Sequence, residues 1–204
     1  MFGRWIEPVW AKKFAAPYVH IVFGARQTGK STLLKRLLPN AAVWLDFSRP
    51  AVRSDYLRRP DQLIALCRGR EPAKSPPIVV IDEAQSVPAI FDAVQHLYDS
   101  DKKRWRFVLC GSSARKLRVT GANLLPGRSF LHHLYPLLVT ERPFPESNRF
   151  KWPVTSPLPL PVAVGVKEPW FPAADLLERL TFGELPGVAT APEEQRADLL
   201  RSYG

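Results

Sequence analysis

The chain has 204 residues, of which 46% are hydrophobic and 24% charged, as expected for one sizeable globular domain, or for one domain and a fragment. It contains no apolar run of the ~18–20 residues that cross a bilayer and no apolar core of a signal peptide, and its two cysteines have neither disulfide nor zinc spacing. These features predict a cytoplasmic protein with no membrane partner. A net charge of +10 is compatible with a nucleic-acid partner, but a solvated arginine-rich surface is favoured because no nucleic-acid module accompanies the charge.

The first element is a strand, a glycine loop and a helix. The run 18–23 is β-branched and aromatic, the loop 24–31 reads Gly-Ala-Arg-Gln-Thr-Gly-Lys-Ser, and leucines follow at helical spacing up to Leu38. The loop matches the phosphate-binding pattern G-x-x-x-x-G-K-[ST], in which main-chain N–H groups and the lysine bind phosphates and the hydroxyl ligates Mg²⁺. A glycine turn in another α/β fold is the alternative.

We predict that nine residues bind ATP: Gly24, Ala25, Arg26, Gln27, Thr28, Gly29, Lys30, Ser31 and Thr32. Lys30 is also predicted to be catalytic, and Ser31 to be a metal ligand.

Further strands and helices alternate along the chain. Strands are predicted over 42–45, 78–81, 106–110 and 130–135, and prolines at 50, 60 and 88 are placed to begin helices. The four consecutive aliphatic residues at 78–81 are typical of a strand covered on both faces. The predicted fold is therefore an α/β three-layer P-loop NTPase with a mainly parallel sheet.

An acidic pair, Asp82 and Glu83, follows the strand 78–81 at the edge where open α/β sheets bind ligands. Asp82 would hold Mg²⁺ opposite the Ser31 hydroxyl, and Glu83 would orient or deprotonate the water that attacks the γ-phosphate. A solvated pair that caps the helix near Pro88 is the alternative. The separation from Lys30, with compatible strands between, favours a metal ligand at Asp82 and a catalytic residue at Glu83.

Three more residues are candidates for the catalytic site. Ser112 and Ser113 follow the strand 106–110. Nucleoside triphosphatases with a glutamate beside the metal-binding acid generally insert this strand between the phosphate-loop strand and the acidic strand, and either serine would then lie near the γ-phosphate. Serines in a tight turn before a helix are, however, common. Arg128 could stabilise charge on the nucleotide of a neighbouring subunit, which requires a homo-oligomer; a surface or ion-paired arginine is the alternative. His132 and His133 are predicted to alternate across a strand, with no metal site.

Prolines dominate 143–172, which predicts a largely extended linker at 141–172 between an ATPase core at 1–140 and a helical segment at 173–204. One helix is predicted over 173–182, with Leu176, Leu177 and Leu180 on one face. A second would begin at a capping box of Thr190 and Glu193 and still run at Tyr203. Two short amphipathic helices cannot bury their apolar faces alone, so they would dock on the core or begin a larger domain.

With these residues assembled, the chain resembles a predicted bacterial and archaeal AAA+-type ATPase family, in which a C-terminal domain of unknown function follows the ATPase domain. The resemblance runs from about Arg4 to Tyr203. It is carried by the glycine loop, by Leu45-Asp46, by Ile81-Asp82-Glu83-Ala84-Gln85-Ser86-Val87-Pro88, by Gly111-Ser112-Ser113, by Gly127-Arg128, by Leu134-Tyr135-Pro136-Leu137 and by Phe182-Gly183-Glu184-Leu185-Pro186-Gly187.

The resemblance implies binding and hydrolysis of ATP with Mg²⁺ by Lys30, Ser31, Asp82 and Glu83, and no established cellular substrate. Ala25 stands where the family usually has proline. Because the family continues well past Tyr203, the resemblance also implies that only the opening of the second domain is kept here. A nucleotide-dependent binding module with little turnover is the alternative function. A small-molecule kinase is disfavoured, because Glu83 beside Asp82 favours water as the acceptor.

Overall fold

The computed structural model describes residues 2–71, 75–112, 125–138, 141 and 173–202. The chain divides into two compact units, of which one is Glu7–Leu134 and the other combines Met1–Ile6 with Tyr135–Gly204. The first six residues, which the sequence assigned to the core 1–140, thus group with the C-terminal unit. The predicted linker lies outside the described residues except for Glu141, and it stays a prediction.

The unit Glu7–Leu134 is built on a five-stranded, entirely parallel sheet in the order β2-β3-β4-β1-β5. The strands are β1 Val19–Phe23, β2 Val43–Asp46, β3 Ile78–Asp82, β4 Arg106–Gly111 and β5 Ser129–His133. The described helices of this unit are α1 Glu7–Lys13, α2 Lys30–Leu37, α3 Pro50–Arg58, α4 Gln62–Arg68, a single 3₁₀ turn Ala84–Ser86 and α5 Ile90–Ser100.

Burial explains why the aliphatic runs form the centre of this sheet. β1 is buried along its whole length, and β3 and β4 are buried except at their first residues. Such strands need cover on both faces, which the helices of an α/β fold provide. The predicted parallel sheet is confirmed, and β4 lies between β1 and β3 as expected.

Helix boundaries differ from the predicted ones where a short turn intervenes. α5 begins at Ile90 rather than at Pro88, because the 3₁₀ turn and the bond from Ile90 N–H to Val87 O come first. α4 begins at Gln62, two residues after Pro60. α3 begins at Pro50 as predicted. Each of these prolines therefore lies at the first residue of a helix or two residues before it.

The second unit contains three described helices: α6 Ala173–Phe182, α7 Pro186–Ala189 and α8 Glu193–Arg201. α6 is confirmed, and its Leu177 and Leu180 are 67% and 75% exposed.

The predicted capping box is wrong, because the Thr190 hydroxyl donates to Pro186 O at 3.0 Å within the last turn of α7, which the sequence did not predict. α8 also ends at Arg201, before Tyr203. The side chain of Leu176 is outside the described part.

Among the residues described, no helix combines the length and apolar content that a membrane span requires.

Candidate functional site

The glycine loop leaves the carboxyl end of β1 and leads directly into α2. Gln27 and Gly29 adopt the left-handed conformation, with φ of 60° and 86°. The Thr28 hydroxyl donates to Ala25 O at 2.9 Å and closes the turn. Left-handed residues reverse the chain within a few positions, so successive N–H groups can face one centre. The loop thus has the curled path that its sequence pattern predicts.

Lys30 crosses this loop with its ammonium group. Its Nζ donates to Gly24 O at 2.9 Å and to Ala25 O at 2.7 Å, and the residue is only 6% exposed. A buried ammonium group needs acceptors, and here the loop carbonyls supply them. The charge is therefore held at the phosphate-binding loop rather than extended into solvent.

Asp82 is also buried, with 6% exposure, and its Oδ1 accepts the Glu83 N–H at 3.0 Å. Burial raises the pKa of the Cys110 thiol well above its ordinary value, and the charge of Asp82 raises it further. The Lys30 charge acts on the same thiol in the opposite direction. Because β1 and β3 flank β4 in the parallel sheet, the loop that carries Lys30 and the carboxylate of Asp82 lie at the same, carboxyl edge.

The alternative interpretation of the acidic pair, a solvated helix cap, does not fit this geometry. Asp82 is buried and forms the last residue of β3, and α5 begins only at Ile90. Cys110 stays protonated at neutral pH because of its raised pKa, so it is a packing group beside the site rather than a nucleophile.

Glu83 is held by a residue that sequence reasoning did not assign a role. Glu83 has a φ of 53°, and its Oε2 accepts a hydrogen bond from Gln85 Nε2. The same Nε2 donates to Ser112 Oγ at 3.3 Å, at the end of β4. The position of Gln85 two residues after the acidic pair was the only signal in the sequence. Ser113 lies outside the described residues.

Arg128 lies at the other end of the sheet from the glycine loop. Its carbonyl accepts the Val19 N–H at 3.1 Å, and Ser129 pairs with Val19 at the start of β1. Its guanidinium donates to Asp99 Oδ1 at 2.7 Å, and that hydrogen bond lowers the pKa of Asp99. Within its own unit, Arg128 is therefore not brought together with Lys30.

The remaining loop residues surround this centre with different exposure. Ser31 is half-buried at the second position of α2, and Thr32 is exposed. Ala25, Arg26 and Gln27 are exposed on the loop. The Ser31 hydroxyl and the buried Asp82 carboxylate fit a magnesium nucleotide, because such oxygens are typical ligands of Mg²⁺ when phosphates complete its coordination. In the described ranges, no cluster of three or more His, Cys, Asp or Glu side chains could bind a metal by itself.

A family model described as an AAA domain matches residues 16–142, which is more than half of the chain. The chain belongs to this AAA domain family. The matched range contains the glycine loop, Asp82, Glu83 and all five strands of the AAA domain sheet. The helices α6 to α8 lie outside that range.

Two solved structures are similar to this AAA domain protein. One is a Walker-type ATPase of Pyrococcus abyssi, PABY2304, with 17% identity and a TM-score of 0.49 over 69% of this chain and 55% of that chain. The other is PCH-2 of C. elegans, with 18% identity and a TM-score of 0.37 over 64% of this chain and 40% of that chain. The chain thus spans about half of the length of these structures, or less. No curated protein matches it significantly.

Proposed function

We propose that this AAA domain binds ATP together with Mg²⁺ and hydrolyses it. The observation that carries the proposal is the placement of two buried charges at one edge of the parallel sheet: Lys30, bound to carbonyls of the loop that leaves β1, and Asp82, at the end of β3. A cation and an anion at that edge suit a triphosphate and the metal that accompanies it.

Each residue has one task in this proposal. The main-chain N–H groups of the loop bind phosphate oxygens, and Lys30 neutralises the charge of the β- and γ-phosphates. Ser31 and Asp82 would hold the magnesium ion, and bound magnesium supplies further charge neutralisation at the phosphates. Glu83 orients the attacking water and accepts its proton. Ser112 contacts the γ-phosphate, and Ser113 is a second candidate for that contact.

The decisive experiment compares two variants in ATP binding and phosphate release. Lys30→Ala is expected to weaken ATP binding at least tenfold, because it removes the ammonium group. Glu83→Gln is expected to bind ATP like the parent but to lose about 100-fold in turnover, as is usual when a general base is removed. Lys12→Ala and Glu71→Gln, which change exposed residues, are the matched controls. Parental turnover in both site variants would refute the proposal.

A second candidate function is a nucleotide-dependent binding module with little turnover. The position of Arg128 favours it, because this arginine could reach a nucleotide only on a neighbouring subunit, so an isolated chain would lack it. ATP at about 100 times its Kd should then raise the Tm by roughly 5–10 °C without phosphate release. Binding to nucleic acid would add a steep decrease of affinity with salt. No effect of ATP on melting would exclude both candidates.

A further inference from the structure

Gln85 connects the ends of β3 and β4 through one amide group. Its Nε2 donates to Glu83 Oε2 and to Ser112 Oγ, the latter at 3.3 Å. A side-chain amide nitrogen has two hydrogens, so these two bonds use both of them. Because a carboxylate can only accept, the nitrogen rather than the oxygen of the amide must face Glu83.

The backbone at the end of β4 leaves room for this amide. A Cβ atom added to Gly111 would overlap Gln85 Oε1, far inside van der Waals contact. Gln85 Oε1 is itself buried, and the described part of the protein provides no hydrogen-bond donor for it. A buried acceptor without a donor destabilises a fold, and such groups are concentrated at functional sites.

We propose that Gln85 is a positioning residue, which holds the Glu83 carboxylate and the Ser112 hydroxyl at a defined separation for hydrolysis. This inference rests on the proposed ATPase function. Ser112 lies at the tip of the strand between β1 and β3, beside the expected γ-phosphate, whereas Glu83 follows β3 in a left-handed conformation. Through one amide, the position of the serine sets the orientation of the base.

Measurements of kcat and of the Kd for ATP distinguish a positioning role of Gln85 from a merely structural one. Gln85→Met keeps the length of the side chain but removes both hydrogen-bond donors. The kcat should therefore fall about tenfold, which is the effect of one lost hydrogen bond. The Kd for ATP and the Tm should stay close to those of the parent. Gln85→Glu should lose at least as much, because a carboxylate cannot donate to Glu83. Gln62→Met, on α4 and exposed at its amide, is the matched control and should keep the parental kcat.

A double variant tests whether the two partners act through the same amide. Ser112→Ala alone should lower kcat, and Gln85→Met with Ser112→Ala should lower it by clearly less than the product of the two single losses. Losses that multiply would mean that the two residues act independently, which would overturn the proposal.

A spectroscopic measurement on the nucleotide-free protein needs no turnover. The side-chain amide signals of Gln85 in a ¹⁵N-correlation spectrum are assigned by their absence in Gln85→Met. Glu83→Gln should shift one of the two amide proton signals and Ser112→Ala the other. Signals that move in neither variant would overturn the proposal.

Failure of this inference is distinguishable from failure of the proposed function. If Glu83→Gln abolishes hydrolysis while Gln85→Met keeps the parental kcat, the positioning role is wrong and the ATPase assignment stands. If Glu83→Gln keeps the parental turnover, the ATPase assignment fails and the positioning role fails with it.

Discussion

Two glycines of the phosphate-binding loop are needed for different physical reasons. Gly29 has a φ of 86° with open space around it, so its backbone conformation excludes most other residues. Gly24 is needed because of crowding, since an added Cβ would overlap Leu134 O and lie 3.0 Å from Thr28 Oγ1. The sequence pattern requires glycine at both positions, but only the structure shows that the reason is backbone conformation at Gly29 and crowding at Gly24.

Gly24→Ala should therefore destabilise the fold by roughly 1–3 kcal/mol, as overpacking does elsewhere, and should weaken ATP binding because the loop must move away from Leu134. Urea unfolding and ATP titration measure the two effects. Gly3→Ala is the control, because nothing lies within 4 Å of its added Cβ. Equal stability of the two variants would contradict this account.

At the scale of elements, β1 and β5 are joined by two buried histidines as well as by backbone pairing. His20 Nδ1 lies 3.0 Å from His132 Nε2, and His20 Nε2 lies 3.3 Å from Ala16 O. Because a carbonyl only accepts, the neutral His20 carries its proton on Nε2 and accepts the Nε2–H of His132. Burial lowers the pKa of both rings, that of His132 to about 4, with the charge of Lys13 acting in the same direction.

This pair predicts loss of stability in mild acid. A histidine in the unfolded chain titrates near 6.5, so between pH 6.5 and about 4 the unfolded chain binds more protons than the folded one. The free energy of unfolding should fall by about 2 kcal/mol from pH 7 to pH 5. His132→Gln should remove most of this dependence, and His133→Gln, which changes the exposed neighbour, should keep it. Urea unfolding at the two pH values measures the effect; an equal dependence in both variants would contradict this origin.

The elements that the sequence predicted correctly are those with a strong local pattern. The aliphatic run of β3 and the leucines of α2 reappear within one or two residues of their predicted bounds. α7 was missed because four residues are too few for a helical period, and its last turn uses the hydroxyl that resembled a cap for α8. Local patterns therefore identify long elements, but they do not determine which neighbour a capping group serves.

At the scale of the whole molecule, the unit that combines Met1–Ile6 with Tyr135–Gly204 is joined across the sequence by a buried ion pair. Arg4 Nε lies 2.9 Å from Glu141 Oε2, and the two side chains are 8% and 2% exposed. Arg4 Nη2 also donates to Tyr135 O at 2.7 Å. Glu141 accepts the N–H groups of Trp5 and Leu138, so both of its oxygens are paired.

Glu141→Ala should destabilise this unit by about 3–5 kcal/mol, because it removes the buried carboxylate that forms the ion pair with Arg4. The amide hydrogens of Trp5 and Leu138 should exchange faster with solvent, since both lose their acceptor. Hydrogen exchange followed by NMR measures this. Glu71→Ala, at an exposed position, should change neither stability nor exchange by more than about 0.5 kcal/mol. Unchanged exchange in Glu141→Ala would contradict the assigned role.

The sequence by itself determined the phosphate-binding loop, the acidic pair after β3 and the alternation of strands with helices, because turn chemistry and hydrophobic period are encoded within a few neighbouring residues. The lateral order of the strands brings the loop with Lys30 and the carboxylate of Asp82 to the same edge of the sheet, on either side of β4, and only the tertiary structure showed this order. The structure likewise revealed the bridge from Gln85 to Ser112 and placed Arg128 at the opposite edge. These relations depend on packing between residues far apart in the chain, which no local pattern records.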